Sequence, residues 1–382
     1  MKKTFLLLSL FTFLYGHSQI SKTLTVTNAG SLSTLLTDDE KNTITDLTVS
    51  GTIDVRDIKC MRDQLILLKN IDLSSVNIAA YEGIGTAPTT NSYASNHLPS
   101  RSFQNYYLSQ GKETLETIIL PTTLLAIDES AFSLCPRLKN ITISNSVLSI
   151  AKNAFYNCKG LTTVKMGSSV TTIGDDAFDN CYALSDLTIG DHVTSIGFNS
   201  FFGCSNLTNV IIPNSVTNIG TSAFSHCTGL TTLTIGSSVS NIDISAFSAC
   251  SNIKTIYSLN STPPTCQICF SGVTSVTEVL VPSSSVSAYK SAPVWSDCFF
   301  SKIKAIPVSK TYEPLSNKVK VHSSRTEIII DGTDKGEIVN VFSLDGKSLK
   351  KVESLGEQIV IQVQNKNVYL VKTGTETFKI IL

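Results

Sequence analysis

Charged residues are scarce in this chain, and neither sign of charge prevails. Only 16% of the 382 residues are Asp, Glu, Lys or Arg, and 30 basic residues balance 30 acidic ones. A nucleic-acid partner would require a basic surface, so the composition argues against one. Ser and Thr fill much of the polar remainder. We therefore expect a surface rich in hydroxyl groups rather than in charges.

Sequence motifs of common active sites are missing. The chain has five histidines and contains no GxSxG, HExxH or Walker phosphate-binding sequence. His192 and His226 fall at different positions of the repeat described below, so they are not expected to meet. We predict no catalysis, no cofactor and no metal site. Four aspartates precede predicted helical turns and are expected to cap them rather than to act as acid and base: Asp128, Asp175, Asp176 and Asp243.

Long apolar runs are absent beyond the N-terminus. Two lysines precede an apolar run of eleven residues from Phe5 to Tyr15, and Gly16 and Ser18 form a small-x-small cleavage pattern. This arrangement is typical of a secretory signal peptide, predicted here for residues 1–18. The run is too short for a permanent membrane-spanning helix. We expect the mature protein to be exported and to have no transmembrane segment.

What the chain does have is a repeat. One phenylalanine recurs every 23 residues, and columns of Leu, Ile and Val recur with the same period. Such a period is typical of a leucine-rich repeat solenoid. The phenylalanines are Phe132, Phe155, Phe178, Phe201, Phe224, Phe247 and Phe270.

The spacing inside each repeat predicts its shape. Apolar residues alternate in pairs such as Ile118 and Leu120, which indicates a short strand with both side chains inward. Pro or Gly then ends the strand, a second extended piece follows, and the "AF" segment fits one short helical turn. A single repeat buries too little to fold alone, because ordering 23 residues costs on the order of 35 kcal/mol. Neighbouring repeats, each forming one rung of the array, must therefore stack into one parallel sheet with turns or short helices on the other side.

Six of the ten cysteines belong to the repeat. They are expected to be buried thiols acting as small hydrophobic groups, with inter-rung disulfides or metal binding as alternatives. Cys266 and Cys269 form a CxxC pair that we interpret as a degenerate last repeat, a disulfide between them being the alternative. The repeat cysteines are Cys135, Cys158, Cys181, Cys204, Cys227 and Cys250.

The ends of the chain depart from the period. Residues 19–97 are predicted to cap the array with irregular repeats, residues 81–97 being a loop. The array itself is predicted over residues 98–305, with six extra residues inserted between Phe103 and Leu115. At its far end, bulky residues are expected to close the last rung: Trp295, Phe299 and Phe300.

The last part of the chain has a different pattern. Residues 306–318 read as a linker, and residues 319–382 alternate in short strands that predict a small β-sandwich.

A candidate binding surface follows from the strand pattern, because the residues between the buried ones must face outward. A flat, hydroxyl-rich face for a protein or glycan is one interpretation, and the preference of Thr for exposed strands is the other. Its area, on the order of 500 Å², is below the ~800 Å² per partner of a standard interface. The candidate residues are Thr117, Thr142, Thr163, Lys165, Asp186, Thr188, Asn209, Ile211, Thr232, Thr234 and Tyr257.

Two parts of the chain resemble known families. Repeats such as "SVTTIGDDAFDNC" and "NSVTNIGTSAFSHC" resemble the BspA-type leucine-rich repeats, and "LVPSSSVSAYKSAPVWSD" resembles the end of such arrays in Bacteroidetes proteins. The stretches "VNVFSLDGKSL" and "NVYLVKTGTETFKIIL" resemble the C-terminal sorting domain of the type IX secretion system. Asn367 stands where that family usually has glycine.

The resemblance implies a route and a role. Export through a signal peptide would be followed by passage across the outer membrane, with the type IX machinery as the partner of residues 319–382. Such arrays are associated with adhesion to host or neighbouring-cell proteins and glycans. The predicted function is therefore non-catalytic binding, with a purely structural surface-layer spacer as the alternative. An enzyme with an unrecognised site in residues 19–110 is a third hypothesis, and paired carboxylates facing one cleft would favour it.

Overall fold

A computed structural model of the chain describes residues 19–306 and seven later strands. The predicted signal peptide, residues 307–318 of the predicted linker and the connections between the later strands lie outside the described residues. The later strands are Lys320–Ser323, Glu327–Asp331, Ile338–Ser343, Ser348–Glu353, Ile359–Gln362, Val368–Thr373 and Glu376–Ile381.

The first strand of each repeat lies in a parallel sheet, as the period-2 pattern predicted. Each residue pairs with the equivalent residue of the next repeat, so that Asn140 pairs with Thr163 and Thr163 with Asp186. The sheet is divided into seven strands and five strands. The seven are Ser21–Val26, Asp46–Ile53, Asn70–Ile78, Thr117–Ile119, Asn140–Thr142, Thr163–Lys165 and Asp186–Thr188, and the five are Asn209–Ile211, Thr232–Ile235, Thr255–Ser258, Glu278–Val281 and Ile303–Ala305.

The second extended piece of each repeat builds another parallel sheet of eight very short strands. In its first pairing Leu98 lies beside Ile127, so the repeat pattern is already present at residue 98. Together the two sheets confirm the leucine-rich solenoid. The strands are His97–Leu98, Ala126–Ile127, Ser149–Ile150, Thr172–Ile173, Ser195–Ile196, Asn218–Ile219, Asn241–Ile242 and Thr265–Cys266.

The "AF" segments form turns, and the predicted helical turn is wrong. Phe155 N–H donates to the carbonyl of Ala177 on the next rung, whereas Ala154 N–H donates back to Ala151. A helix would direct every N–H back along its own segment, but here alternate N–H groups join neighbouring rungs. Residues two before and two after the phenylalanine have left-handed backbone, such as Asn153 (φ 56°) and Asn157 (φ 58°). Asn, which tolerates this conformation, fills several of these positions.

The repeating phenylalanines form one continuous stack through the core. Phe103 extends the stack at its N-terminal end, and adjacent ring centroids lie 4.9 to 5.6 Å apart. All the rings between Phe103 and Phe247 are fully buried. This spacing slightly exceeds the ~4.8 Å between parallel strands, so one ring per rung fills the core.

The repeat cysteines are buried free thiols, which supports the first of the three interpretations. Each S–H donates to the carbonyl of the phenylalanine in the preceding repeat, as Cys158 does to Phe132 at 3.0 Å and Cys181 to Phe155 at 3.3 Å. The partner lies 26 residues earlier for every thiol except Cys135, whose partner Phe103 lies 32 residues earlier because of the insertion. The thiols therefore bridge adjacent rungs by weak hydrogen bonds. Cys266 and Cys269 do form a disulfide. The alternative, a disulfide between these two cysteines, is therefore confirmed. The strand Thr265–Cys266 still pairs with Asn241–Ile242 of the preceding repeat.

The N-terminal residues add irregularly spaced strands to the end of the array. The strands that begin at Ser21, Asp46 and Asn70 extend the first sheet in parallel. Residues 81–97, predicted as a loop, contain a small antiparallel ribbon of Tyr81–Glu82 and Ser92–Tyr93. Helices in this part span Leu32–Leu35, Asp38–Thr43 and Val55–Asp63.

The C-terminal end of the array is closed by aromatic side chains. Trp295 and Phe299 are buried and lie edge-on to Phe270, with centroids 5.3 and 5.2 Å away. Phe300 is 55% exposed, so its predicted part in the closure is wrong. The closing elements are the 3-10 helices Ser283–Ser285 and Phe300–Lys302 and the helices Val286–Ser291 and Trp295–Phe299.

None of the helices in the described ranges has the length and apolar character needed to cross a membrane.

The later strands form two antiparallel sheets, one of three and one of four strands. Ile328, Val341 and Val371 belong to one buried cluster that both sheets supply. This agrees with the predicted small β-sandwich.

Candidate functional site

The structure places all the predicted surface residues on the first sheet, in register along successive rungs. Their exposure differs along the array. Six of them are exposed, namely Thr117, Thr142, Lys165, Thr188, Asn209 and Ile211. The other five are half-buried, namely Thr163, Asp186, Thr232, Thr234 and Tyr257.

A break in strand pairing divides this surface. Asp186–Thr188 is the last strand of the seven-stranded sheet, and Asn209–Ile211 is the first of the five-stranded sheet. The second sheet continues past this point, where Ser195 pairs with Asn218. The solenoid is therefore continuous, but the candidate residues fall into a group of six before the break and a group of five after it.

Polar side chains on this surface bond to one another across the rungs. The Thr117 hydroxyl donates to Asn70 Oδ1 at 2.6 Å, and Asn70 Nδ2 donates to Asp46 Oδ1 at 2.8 Å. Thr162, beside the strands, donates to Asn140 Oδ1 at 3.1 Å. These bonds fix the orientations of the side chains that make them, so a ligand would meet this part of the surface already ordered before binding.

The surface carries little charge. Lys139 and Glu116 form an ion pair at its edge, 2.6 Å apart, and the hydrogen bond from Lys139 lowers the pKa of Glu116. Lys139 is more than half exposed, so the pair contributes little to stability. Lys165 and Asp186 are also of opposite charge. The surface therefore offers hydroxyl and amide groups to a neutral partner and has no net charge that would attract a charged one.

Paired carboxylates do occur in residues 19–110, but they hold the backbone. Asp57 accepts hydrogen bonds from the N–H groups of Gly30, Leu32 and Asp54 at 2.6 to 2.9 Å. Asp54 caps the following helix and pairs with Arg56 at 2.6 Å. Burial raises the pKa of Asp57, although the hydrogen bonds from these N–H groups act to lower it. Both carboxylates therefore serve the local fold, Asp57 as an acceptor for backbone N–H groups and Asp54 as a helix cap paired with Arg56.

The aspartates expected to cap helical turns have another role, because the turns are not helical. Asp175 Oδ1 accepts from Phe198 N–H on the next rung at 2.9 Å, and Asp176 Oδ1 accepts from Asn199 at 3.2 Å. Asp128 pairs with His97 at 3.1 Å. Asp243 accepts from Asn218 at 3.4 Å. Among the described residues, no group of three or more His, Cys, Asp or Glu side chains could hold a metal ion.

One feature that the sequence interpretation left unexplained is the insertion after Phe103. It folds as a hairpin of Gln104–Asn105 and Gln110–Gly111. The hairpin tip, defined as Tyr106, Tyr107 and Leu108, is exposed by 49%, 82% and 64%. The two adjacent tyrosines within a break of the period were the signal that could have revealed it.

A family model of leucine-rich repeats matches the chain, in agreement with the solenoid fold. The sequence matches the family model "BspA type Leucine rich repeat region" in six copies, over residues 101–197 and 171–299. These ranges together cover more than half of the chain. A search of curated proteins found no match.

Solved structures of repeat proteins are also similar. A leucine-rich repeat protein of T. pallidum is 24% identical, with a TM-score of 0.37, over 39% of this chain and 76% of that one. A leucine-rich repeat protein of Bacteroides ovatus is 16% identical, with a TM-score of 0.35, over 69% and 84%. A leucine-rich cell surface protein of Faecalibacterium prausnitzii is 19% identical, with a TM-score of 0.34, over 68% and 83%.

Proposed function

Because this chain belongs to the BspA-type leucine-rich repeat family, we propose that it is a non-catalytic binding module, secreted or held at the cell surface, that attaches to host or cell-surface macromolecules. The observation that carries the proposal is the first sheet. Its outward side chains are in register, mostly polar and close to neutral over successive rungs, with Ile119 and Ile211 as exposed apolar exceptions. Such a surface repeats the same chemistry many times, which suits a partner that is itself repetitive.

The size of the surface favours weak, multivalent attachment. Twelve strands belong to the two parts of the first sheet, and at about 4.8 Å each they extend over roughly 58 Å. With three residues per strand, the area is on the order of 600 Å², still below the ~800 Å² per partner of a standard protein interface. Several weak contacts to a polymeric partner would raise the overall affinity without a larger interface.

A structural spacer without a specific ligand is the second candidate. It is favoured by the hydrogen bonds among the surface side chains, such as Thr117 to Asn70, because these stabilise the array whether or not a ligand is present. Binding by the purified chain distinguishes the two candidates.

Arginine substitutions test the sheet surface directly. We expect the double variant Thr142→Arg, Thr188→Arg to bind immobilised matrix proteins and glycans at least about tenfold more weakly than the original chain, because two long charged side chains would stand on a neutral surface. Surface plasmon resonance over a panel of both ligand types would measure this.

The matched control is Thr172→Arg, Ser195→Arg, which places the same charges on exposed positions of the second sheet. It should bind like the original chain. Equal binding by both double variants would refute the sheet surface as the binding site, and no binding by the original chain would favour the spacer.

We propose the route of export from the sequence motifs. Residues 1–18 would be the signal peptide, residues 19–97 the irregular N-terminal cap, residues 98–305 the array and residues 306–318 the linker. Residues 319–382 would then be a sorting domain read by the type IX machinery. The two antiparallel sheets and their shared buried cluster support a separate C-terminal domain.

Truncation tests this route. In a Bacteroidetes host with a type IX system, we expect the tagged full chain to reach the surface or the medium and a chain ending at Lys318 to stay in the periplasm, because only the former carries the sorting domain. Fractionation followed by immunoblotting would measure the distribution. Equal distribution of both chains would contradict the sorting domain while leaving the binding proposal intact.

A further inference from the structure

The hairpin that interrupts the repeat presents unusually large apolar side chains to solvent. Tyr107 is 82% exposed, and its neighbours Tyr106 and Leu108 are 49% and 64% exposed. These three consecutive side chains make a contiguous exposed group, which calls for an explanation that single exposed apolar residues do not need.

The base of the hairpin is held by two buried cations. Arg62 Nη1 donates to the carbonyls of Thr86, Arg101 and Gln104 at 2.9 to 3.1 Å, although its side chain is only 6% exposed. Lys112 Nζ donates to the carbonyl of Leu65 at 2.7 Å, and burial lowers the pKa of Lys112 to about 8.

Other contacts fix the position of the hairpin on the array. Gly111 packs so closely on the next rung that a Cβ there would collide with the Leu134 carbonyl oxygen. Removing two cations from water is unfavourable, yet their bonds leave the hairpin little freedom. The tip is thereby held at one place on the solenoid.

The tip itself is also ordered. Asn105 Oδ1 accepts from the N–H groups of Tyr107 and Leu108 at 3.1 and 3.2 Å. The Arg101 guanidinium lies 4.8 Å from the Tyr106 ring centroid. The Tyr106 and Tyr107 rings are almost perpendicular, at 82°, with centroids 5.7 Å apart. The two rings form a corner of defined geometry before any ligand arrives.

We propose that the hairpin tip binds one sugar ring of a neutral glycan, which stacks its apolar face on Tyr107. The C–H groups of a pyranose face are attracted to the negative face of an aromatic ring. The exposed Ser109 and Gln110 beside the tip supply neutral donors and acceptors for the hydroxyls at the sugar's rim. This inference rests on the proposed binding function and assigns it a second surface and a ligand class.

Size and order favour a glycan over other partners. The tip exposes on the order of 400 Å², about half of what each partner in a standard protein interface buries. Insertion into a lipid bilayer would need exposed apolar groups but no fixed angle between rings. Asn105 holds the backbone turn that carries the two perpendicular rings, and Arg101 lies over the Tyr106 ring. This arrangement instead matches a ligand that has a ring face and a polar rim.

Titration with defined oligosaccharides tests the inference. Neutral hexasaccharides of glucose, mannose and galactose would be added to the purified chain, and binding would be followed by saturation-transfer NMR. We expect at least one to bind, Tyr107→Ala to weaken it at least about tenfold, and Tyr107→Phe to keep it within about threefold, because the ring face makes the contact. Tyr182→Ala, which removes another exposed tyrosine, should change nothing.

Each outcome of the titration supports or overturns glycan binding at the hairpin tip. Hexasaccharide binding that survives Tyr107→Ala would overturn the inference while leaving the binding function in place. Failure of all three sugars at millimolar concentration would overturn it too. Tyr107-dependent binding to phosphatidylcholine vesicles would replace the glycan by a membrane. Because Tyr107 is so exposed, its loss should leave the thermal unfolding of the chain unchanged, which circular dichroism would verify.

Discussion

Raising the pH from 8 to 10 is expected to lower the free energy of unfolding by several kcal/mol. Burial raises the pKa of the repeat thiols, for Cys135 to about 12 and for Cys158, Cys204 and Cys227 well above the ordinary value of 9.0. Burial raises the pKa of Cys181 as well. These five thiols stay neutral in the folded chain at a pH at which the unfolded chain loses their protons.

The sign follows from proton binding. Below pH 9 both states keep the thiol proton, so the stability is fully present, and above pH 9 the unfolded state is favoured because it can ionise. Between pH 8 and 10 each thiol lowers stability by about 1.4 kcal/mol, or about 7 kcal/mol for the five. Lys112, whose pKa burial lowers to about 8, opposes this by about 2 kcal/mol because the folded state releases its proton first.

Substitution of one thiol isolates the effect. At pH 7 the variant Cys181→Ala should be less stable than the original chain by about 1 kcal/mol, because it loses sulfur packing and the bond to Phe155. At pH 10 this difference should vanish, since the variant lacks one ionisable group. Urea unfolding at both pH values under reducing conditions would measure it. A difference independent of pH would show that the buried thiol is not what makes the array sensitive to alkali.

Removing one ring from the phenylalanine stack is expected to destabilise the array by about 3–5 kcal/mol. Phe178 is fully buried, and its ring lies 4.9 Å from Phe155 and 5.2 Å from Phe201. The variant Phe178→Ala leaves a cavity in the middle of the stack and removes two ring contacts. Because each rung contacts only its neighbours, the loss should appear first as faster amide hydrogen exchange in residues 150–205.

Phe198 offers a matched control in the same rung as Phe201. Its side chain is 45% exposed, so Phe198→Ala should change the free energy of unfolding by no more than about 0.5 kcal/mol. Comparable destabilisation by both variants would mean that the ring stack contributes nothing beyond the presence of apolar side chains.

The sequence alone determined the solenoid, the first strand of each repeat and the extended piece after it, the buried phenylalanine and cysteine columns, and which residues of the first strand face outward. These features are local or repeat at a fixed spacing, so 23-residue periodicity and period-2 alternation are enough to predict them. That the extended pieces pair into a second sheet was not predicted. The outward direction of Thr142 and Thr188 follows from the burial of their neighbours. That these residues bind a partner remains a proposal, because exposure alone does not distinguish a ligand surface from a solvated strand.

The tertiary structure decided what depends on contacts between rungs. Whether the "AF" segment is a helix or a turn depends on where its N–H groups find acceptors, and for Phe155 the acceptor is Ala177 of the next rung. The break after Thr188 and the exposure of Phe300 likewise follow from packing that no single repeat encodes. The exposed tyrosines of the hairpin tip depend on Arg62 and Lys112, whose bonds join segments up to 50 residues apart. Periodicity carries no information about such distant partners, because each is met only once along the chain.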